Sequence, residues 1–494
     1  MSDLVPYVNR LIGTIRAWTG SFHFYEGGKA VTRGARDLER DLGKVVSVFQ
    51  NEGFRRGDRI GIVGPNGYAW VLLDLACVAC GLASVGFDPN HHDYKRLHRE
   101  LGLRRTYEIA DGATIGQVLG AELETGDRVG ELSGHQFAMD EPLGMKFTSG
   151  STGELKAIEL KRKSVDDTLS NVQRMFQHGP GDKFLLFLPL YLYQQRFWIY
   201  SSLLFDHDAV IVPYRLAVTA LRRERPTVVM GVPEFFTSLI KGFDPAVPEQ
   251  RERFLELSGG KIRYMWTGSA PIAMATLNAY HGMGIPLYQG YGMNETCIVS
   301  KNYPGRNRIG SVGTVVPSKT VHIDSVGQIL VKSEYEVNHR YVNVSAEESA
   351  ATFRPDGYVA TGDLGYMDDD GYLYVTGRVK DILVLSSGRK VSPIPIEARL
   401  EEATCIDKAV VFGSGQSYLT AIISAAPGAR REDVEVEIAR VNAHAAEDER
   451  IRKFVIAHEP LTRENGLLTS QFKVRRGAVA DRFQEELMAL YGAA

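Results

Sequence analysis

Short apolar runs, RIGIVG, FLLFLPL, AVIVP and TVVMGVP, alternate along the chain with longer amphipathic stretches such as ARDLERDLGKVVSVFQNEGF and SVDDTLSNVQRMFQ. The short runs have the length and composition of buried strands, and the long ones carry apolar residues at helical spacing. Their alternation predicts an α/β protein with wound sheets. At 494 residues the chain is long enough for about three domain-sized units. From Thr320 to Val342 the pattern changes to short strands, TVHID, GQILVKS and RYVNV, with no helix between them. That change predicts a β-rich subdomain closing the large unit. The DG and DDDG turns of DGYVATGDLGYMDDDGYLYVTGR predict hairpins there. Beyond Lys380, AVVFG and YLTAIISA read as strands and DVEVEIARVNAHAAEDERIRKF as one helix, which predicts a small α+β domain. The expected division is 1–379 for a large multi-sheet N-terminal domain and 380–494 for a small mobile C-terminal domain.

Charge and cysteine content remove several function classes. Lys plus Arg number 57 against 60 for Asp plus Glu, a net charge of -3, so no overall field draws the chain to nucleic acid or to an anionic membrane. An anionic ligand needs a local site. The longest apolar stretch, Tyr68 to Phe87, is broken by Asp74 and Gly81 and reads as a buried helix leading into a strand rather than a membrane span. MSDLVPYVNR lacks the basic and apolar regions of a secretory signal, and 4 cysteines in so long a chain are no disulfide framework. The expectation is a cytoplasmic protein. Cys77 and Cys80 form a CxxC inside LLDLACVACGL, where three-residue spacing is one face of an apolar helix, and core packing is the expected role.

The segment richest in chemistry is FTSGSTGELK, Phe147 to Lys156. Glycines there let backbone N–H groups approach a phosphate, the hydroxyls add donors and Lys156 adds positive charge. It is not a Walker loop, because Gly153 is followed by Glu154 and Leu155 instead of Lys and Ser or Thr. Taken alone, the same composition also makes a plain turn. Four further segments accompany it: TGSAPI after the strand-like IRYMW, YQGYGMNET after IPL, YVATGDLG, and ENGLLTSQFKVRR near the C-terminus.

With these five motifs in this order, the chain resembles the adenylate-forming superfamily of acyl-CoA synthetases, peptide-synthetase adenylation domains and luciferases, over about Gly57 to Tyr491. The resemblance implies that Thr148, Ser149, Gly150, Ser151, Thr152, Gly153 and Lys156 embrace the β- and γ-phosphates of ATP. It implies an adenine pocket lined by Gly268, Ser269, Ala270 and Pro271, with Tyr291 stacked on the base and Gly292, Met293 and Asn294 beside the nucleotide. Glu295 would hold Mg2+, Asp363 and Arg378 would bind the ribose, and Lys473 would bridge the carboxylate substrate and the α-phosphate. Lys380 would be the hinge and Gly388 part of a CoA surface, with Leu192 at the acyl-pocket gate. These roles fit the chemistry: a carboxylate attacking phosphorus brings two anions together, which a lysine and a divalent cation relieve.

The chain departs from the family pattern in several places. Leu155 and Ala157 stand where a proline and a glycine flank the loop lysine, and Asn294 replaces the usual threonine before the magnesium glutamate. In LPLYLYQQRFW, Leu192 replaces the usual His or aromatic gate and Gln195 a glutamate, while Arg196 matches. The C-terminal motif is nearest the long-chain fatty acyl-CoA synthetase branch. The implied function is ATP-dependent activation of a fatty or other bulky apolar carboxylic acid, followed by transfer to CoA. A carrier protein or an amine as acceptor, nitrite as the activated anion, and a non-catalytic nucleotide-binding relative are the alternatives.

Overall fold

A computed structural model describes residues 4–26, 29–88, 93–120, 132–149, 155–469 and 472–492. Among these, a nine-stranded sheet runs in the order Thr314–Val315, Cys297–Lys301, Leu287–Met293, Tyr264–Thr267, Val228–Gly231, Lys183–Leu186, Asp208–Ile211, Phe22–Glu26 and Lys29–Arg33. The strands from Leu287–Met293 to Phe22–Glu26 are parallel, and antiparallel strands finish both edges. A second, five-stranded sheet has the order Arg105–Glu108, Arg59–Val63, Ala83–Phe87, Pro142–Ser149 and Leu155–Lys161, of which only the last is antiparallel.

Parallel strands are buried on both faces, so helices must cover them. Between the sheets, helices Tyr68–Cys80, Arg162–Phe176 and Tyr193–Phe205 join a single buried cluster that takes in Ile60, Ile62 and Ile158 of one sheet and Phe184, Val228 and Tyr264 of the other. The helix Tyr68–Cys80 is buried on every side, its one charged residue, Asp74, paired with Arg196, and stops at Gly81 in the left-handed region, φ 70°. Cys77 and Cys80 are free thiols packed on it. Helix Ala35–Asn51 buries one face, Leu38, Leu42, Val45 and Phe49 with Gly43 beside them. On the outer face of the nine-stranded sheet, Leu221, Phe236 and Leu277 cover Leu185, Val229 and Met265. Leu97 and Leu101 cover Val85, Phe87 and Met145 of the smaller sheet. The result is five alternating layers of helix and sheet.

The expected β-rich closure is a four-stranded antiparallel sheet, Lys319–Ile323, Gln328–Ser333, Tyr358–Met367 and Leu373–Arg378. RYVNV is not one of its strands. It lies along the edge strand Leu155–Lys161, where Val342 N–H donates to the Ala157 carbonyl at 2.8 Å and the Asn343 side chain accepts from Ala157 N–H at 2.7 Å and donates to the Leu155 carbonyl at 2.8 Å. A side-chain amide thereby does what a ladder of backbone bonds does elsewhere. The C-terminal sheet, Ile406–Phe412, Leu419–Ala425 and Ile451–Ile456, packs Leu400 and Ile438 on one face and Leu461, Phe483 and Leu487 on the other. The single helix expected over Asp433 to Phe454 ends at Ala443, and Ile451–Ile456 is a strand parallel to Leu419–Ala425. Asn442 makes the break by clamping both backbone groups of Ile451, donating to its carbonyl at 2.8 Å and accepting from its N–H at 2.9 Å.

Candidate active site

Three of the motif segments, at 147–156, 267–272 and 288–296, leave the C-terminal ends of parallel strands, where sheets of this class hold ligands. Pro142–Ser149 runs into the phosphate-loop segment and Leu155–Lys161 returns from it, with Thr148 opposite Lys156. Gly150, Ser151, Thr152 and Gly153, with the Ser149 side chain, lie outside the described residues. Lys156 sits at the mouth of the hairpin. Its ammonium pairs with Glu348 Oε1 at 2.7 Å and lies 5.1 Å from the Tyr341 ring centre.

Strand Leu287–Met293 slips its register between Tyr291 and Gly292, and a Cβ at Gly292 would collide with the Cys297 carbonyl oxygen. Glycine is required for this turn, which carries Asn294 and Glu295 back toward the hairpin. Asn294 Nδ2 donates to the Phe147 carbonyl at 2.7 Å. The residue that departs from the family pattern therefore ties the glutamate turn to the phosphate-loop strand. Glu295 is 3% exposed. Its Oε1 accepts from the Tyr341 hydroxyl at 2.6 Å, whereas its buried Oε2 has no hydrogen-bond partner among the described residues. Burial, then the Glu295 carboxylate, holds the Tyr341 phenol well above its usual pKa, so it remains a donor. An orphaned carboxylate oxygen suits a hard cation. Among the described residues no three metal-ligating side chains cluster.

The expected nucleoside residues Asp363 and Arg378 lie on the hairpin of Tyr358–Met367 and Leu373–Arg378. Burial alternates along its first strand, placing Asp363 on the inner face with Val359 and Thr361. Arg378 stands directly opposite and donates from Nε to Asp363 Oδ1 at 2.7 Å, and the Tyr291 hydroxyl donates to Oδ2 at 2.7 Å. Both carboxylate oxygens retain lone pairs for two further donors. Tyr291 is half-buried, its ring against the cluster of Val299, Val312 and Ile329, while the Gly268–Pro271 loop follows strand Tyr264–Thr267 with Ser269 at φ 72°.

Lys473 comes from the C-terminal unit, at a turn where its N–H donates to Thr469 Oγ1 at 3.1 Å and its carbonyl accepts from Thr469 N–H at 2.8 Å. It lies within electrostatic reach of Arg378 and Asp363. The residue keeps solvent exposure, yet protein packed around the ammonium, aided by the Arg378 charge and opposed by Asp363, pushes its pKa down to about 8. The neighbouring Phe472 ring lies 5.4 Å from that of Tyr214. Lys380 is exposed in the one-turn helix Val379–Asp381, and Gly388, φ 81°, turns the small hairpin Leu383–Val384 and Lys390–Val391. Leu192 caps helix Tyr193–Phe205, half-buried. Behind it Arg196 is fully buried, paired with Asp74 at 3.2 Å between the Trp70 and Tyr193 rings.

Three groups of expected residues thus meet: Thr148 and Lys156 with Asn294 and Glu295, Tyr291 with Asp363 and Arg378, and Lys473 with the latter pair. Gly388 remains in the outer hairpin of the C-terminal unit. Sequence reasoning did not single out Tyr341, Glu348 or Lys301, whose local sequences carry no motif and whose importance is set by long-range packing.

A sequence profile for AMP-binding enzymes matches residues 22–334, and one for the AMP-binding enzyme C-terminal domain matches residues 380–494. A long-chain-fatty-acid–CoA ligase of Mycobacterium bovis, FadD15, is 25% identical over 538 residues, 89% of this chain and 89% of that protein. The crystal structure of ATP-bound MatB from Rhodopseudomonas palustris superposes with a TM-score of 0.80 at 20% identity, covering 97% of this chain and 99% of that one. O-succinylbenzoate coenzyme A synthetase (MenE) from Bacillus subtilis, solved with ATP and magnesium, gives 0.76 at 20% identity, covering 95% and 98%. No helix among the described residues is long and apolar enough to cross a membrane. The five-layer fold, the order of the motifs and the profile match over most of the chain together show that it belongs to the AMP-binding, adenylate-forming superfamily, as an enzyme of the AMP-forming CoA ligase family.

Proposed function

We propose that the chain activates a carboxylic acid with ATP and passes the acyl group to the thiol of CoA. The observation that carries this reading is the approach of Lys473, from the C-terminal unit, to the Asp363 and Arg378 pair of the preceding sheet. A cation delivered there from a separate unit suits a step in which two anions must meet.

In the first half-reaction a carboxylate oxygen bonds to the α-phosphorus, and the bond from that phosphorus to the bridging oxygen of the β-phosphate breaks, releasing pyrophosphate. Asp363, held by Tyr291 and Arg378, accepts hydrogen bonds from the ribose hydroxyls and fixes the nucleoside. Lys156 leaves Glu348 for the terminal phosphates. Lys473 neutralises the carboxylate and α-phosphate as they approach. Glu295, with Thr148 close to the phosphates, would hold a magnesium ion, which offsets phosphate charge when bound. In the second half-reaction the CoA sulfur bonds to the acyl carbon, the bond to the AMP oxygen breaks, and the thiol proton goes to solvent. Lys473 has no part in that step, and rotation of the 380–494 unit about Lys380 would withdraw it and bring Gly388 inward.

We take the acyl side to lie at the aromatic side chains between helix Tyr193–Phe205 and strand Tyr264–Thr267. Trp198 lies edge to face with Trp266 at 5.0 Å, and its indole N–H reaches Met230 Sδ at 3.1 Å. These side chains support a compact, bulky acid more than a long straight chain, although the FadD15 relative is named for long-chain fatty acids. Exchange of labelled pyrophosphate into ATP, measured across aryl, terpenoid-like and fatty acids with nitrite included, tests the first step. Exchange with a carboxylic acid and AMP release on adding CoA are expected. Exchange with nitrite alone, or release only with an amine or carrier protein, would replace this reading.

A further inference from the structure

Lys301 is fully buried, and its ammonium has no hydrogen-bond acceptor among the described residues. It sits instead against the face of Trp266, with the Phe176 ring centre 5.6 Å away. Such contacts offset part of the cost of removing an ammonium from water but satisfy none of its three N–H donors. Burial pushes its pKa well below the usual lysine value, as expected where no counter-ion is within reach. Packing alone gives no reason for a lysine here, since methionine would fill the same space without that cost.

Its position relates it to the site. Lys301 stands directly opposite Gly290 in the antiparallel pair of Leu287–Met293 and Cys297–Lys301. A Cβ at Gly290 would meet both Lys301 Cδ and Trp266 Nε1 at 3.2 Å, so the glycine leaves the lysine its path across the strand. Gly268 is adjacent, its own Cβ position 3.2 Å from the Gly290 oxygen. Gly268 and Gly290 begin the segments expected to hold the nucleotide, and Lys301 lies behind them on the side of the Trp198 and Trp266 rings. A buried lysine amine without an acceptor among the described residues, set against aromatic faces behind Gly268 and Gly290, suits a ligand that brings its own anion.

We propose that the acid activated by this enzyme carries a second anionic group, a carboxylate by chemical class, which takes Lys301 as its counter-ion while its first carboxylate faces the α-phosphate. The proposal rests on the adenylation reading above and narrows its substrate to compact diacids with an apolar body.

The experiment compares pyrophosphate exchange for matched pairs, succinate against butyrate, glutarate against valerate, and terephthalate and isophthalate against benzoate, in the full-length enzyme and in Lys301→Met. The natural chain is expected to favour the diacid in at least one pair. Lys301→Met is expected to lose about 100-fold in kcat/KM for that diacid while keeping or gaining activity on the matching monoacid. A preference of the natural chain for the monoacid in every pair overturns the role of Lys301 and leaves adenylation standing. An unchanged diacid preference in Lys301→Met, with an unchanged melting temperature, overturns it also. If Lys301→Met fails to fold, Lys301→Gln takes its place, and the preferences of the natural chain still decide. Exchange with none of these acids, together with exchange on nitrite or a long-chain fatty acid, removes the diacid substrate, and no exchange with any anion removes the adenylation reading with it.

Discussion

Lys473 and Glu348 are the residues whose chemistry the site geometry makes most specific. A lysine whose pKa is pushed down to about 8 is charged below that pH and loses its charge as pH rises through it. Because kcat/KM reports the free enzyme, kcat/KM for ATP in the exchange reaction is expected to fall above about pH 8. Lys473→Arg, which stays charged, should lack that alkaline limb, and Lys473→Ala should lower exchange about 100- to 1,000-fold while ATP binding measured by calorimetry is largely kept. An alkaline limb that survives in Lys473→Arg would assign the titration to another group. Glu348 acts in the opposite sense. It holds the Lys156 ammonium at 2.7 Å, so in the proposed reaction ATP would displace a carboxylate to reach the lysine. Its side chain is 43% exposed, and the pair is correspondingly weak. Glu348→Gln is expected to lower KM for ATP about 2- to 5-fold with kcat unchanged; a raised KM would make Glu348 part of the binding surface instead of a competitor for it.

Elements differ in how far their sequences foretell them. The parallel strands and the helix Tyr68–Cys80 were legible because burial on all sides forces runs that are almost wholly apolar, Asp74 being the one charge in the helix. The junction at Asn442 was not, because the helix pattern of DVEVEIARVNA flows into HAAEDERIRKF without a glycine or proline. What stops the helix is a side chain that satisfies both backbone groups of Ile451, a contact 9 residues away. Asn442→Ala leaves those groups unpaired at the start of a strand, and a cost of about 1–3 kcal/mol is expected for unfolding of the C-terminal unit. Chemical denaturation followed by hydrogen exchange over Ile451–Ile456 would measure it, and native protection there would dismiss the clamp. The same distinction runs through the site. Thr148, Asp363 and Lys473 were legible through the motifs that carry them. Tyr341, bonded to a glutamate 46 residues earlier in the chain, and Lys301, defined by what it fails to touch, depend on which distant elements the fold brings alongside.

At the scale of the whole molecule the central question is what holds the C-terminal unit where Lys473 can reach the Asp363 and Arg378 pair. Contacts that cross from the large unit include the Ser392 hydroxyl donating to the Thr376 carbonyl at 3.0 Å beside the junction and, farther out, Phe472 against Tyr214 and Lys408, on strand Ile406–Phe412, donating to Glu234 Oε2 at 2.7 Å. Glu234 lies in the first turn of helix Pro233–Ile240, which follows strand Val228–Gly231 of the large sheet. The Lys408 side chain is 13% exposed and also faces Glu401 Oε2 at 3.6 Å, within its own unit. Removing Glu234 therefore leaves Lys408 a partner, whereas removing Lys408 strands two carboxylates. Glu234→Gln is thus the cleaner perturbation, since it loosens the crossing contact without burying an unpaired charge. If the contact favours the arrangement that places Lys473 at the nucleotide, its loss shifts the population away from that arrangement. Adenylation should then slow by up to about 10-fold. Thioester formation from a preformed acyl adenylate, which does not need Lys473 in place, should be unchanged or faster. Single-turnover measurements of the two half-reactions decide the matter. Equal slowing of both would mean that Glu234 serves stability alone, and slowing confined to the thioester step would place the ion pair in the other arrangement of the two units.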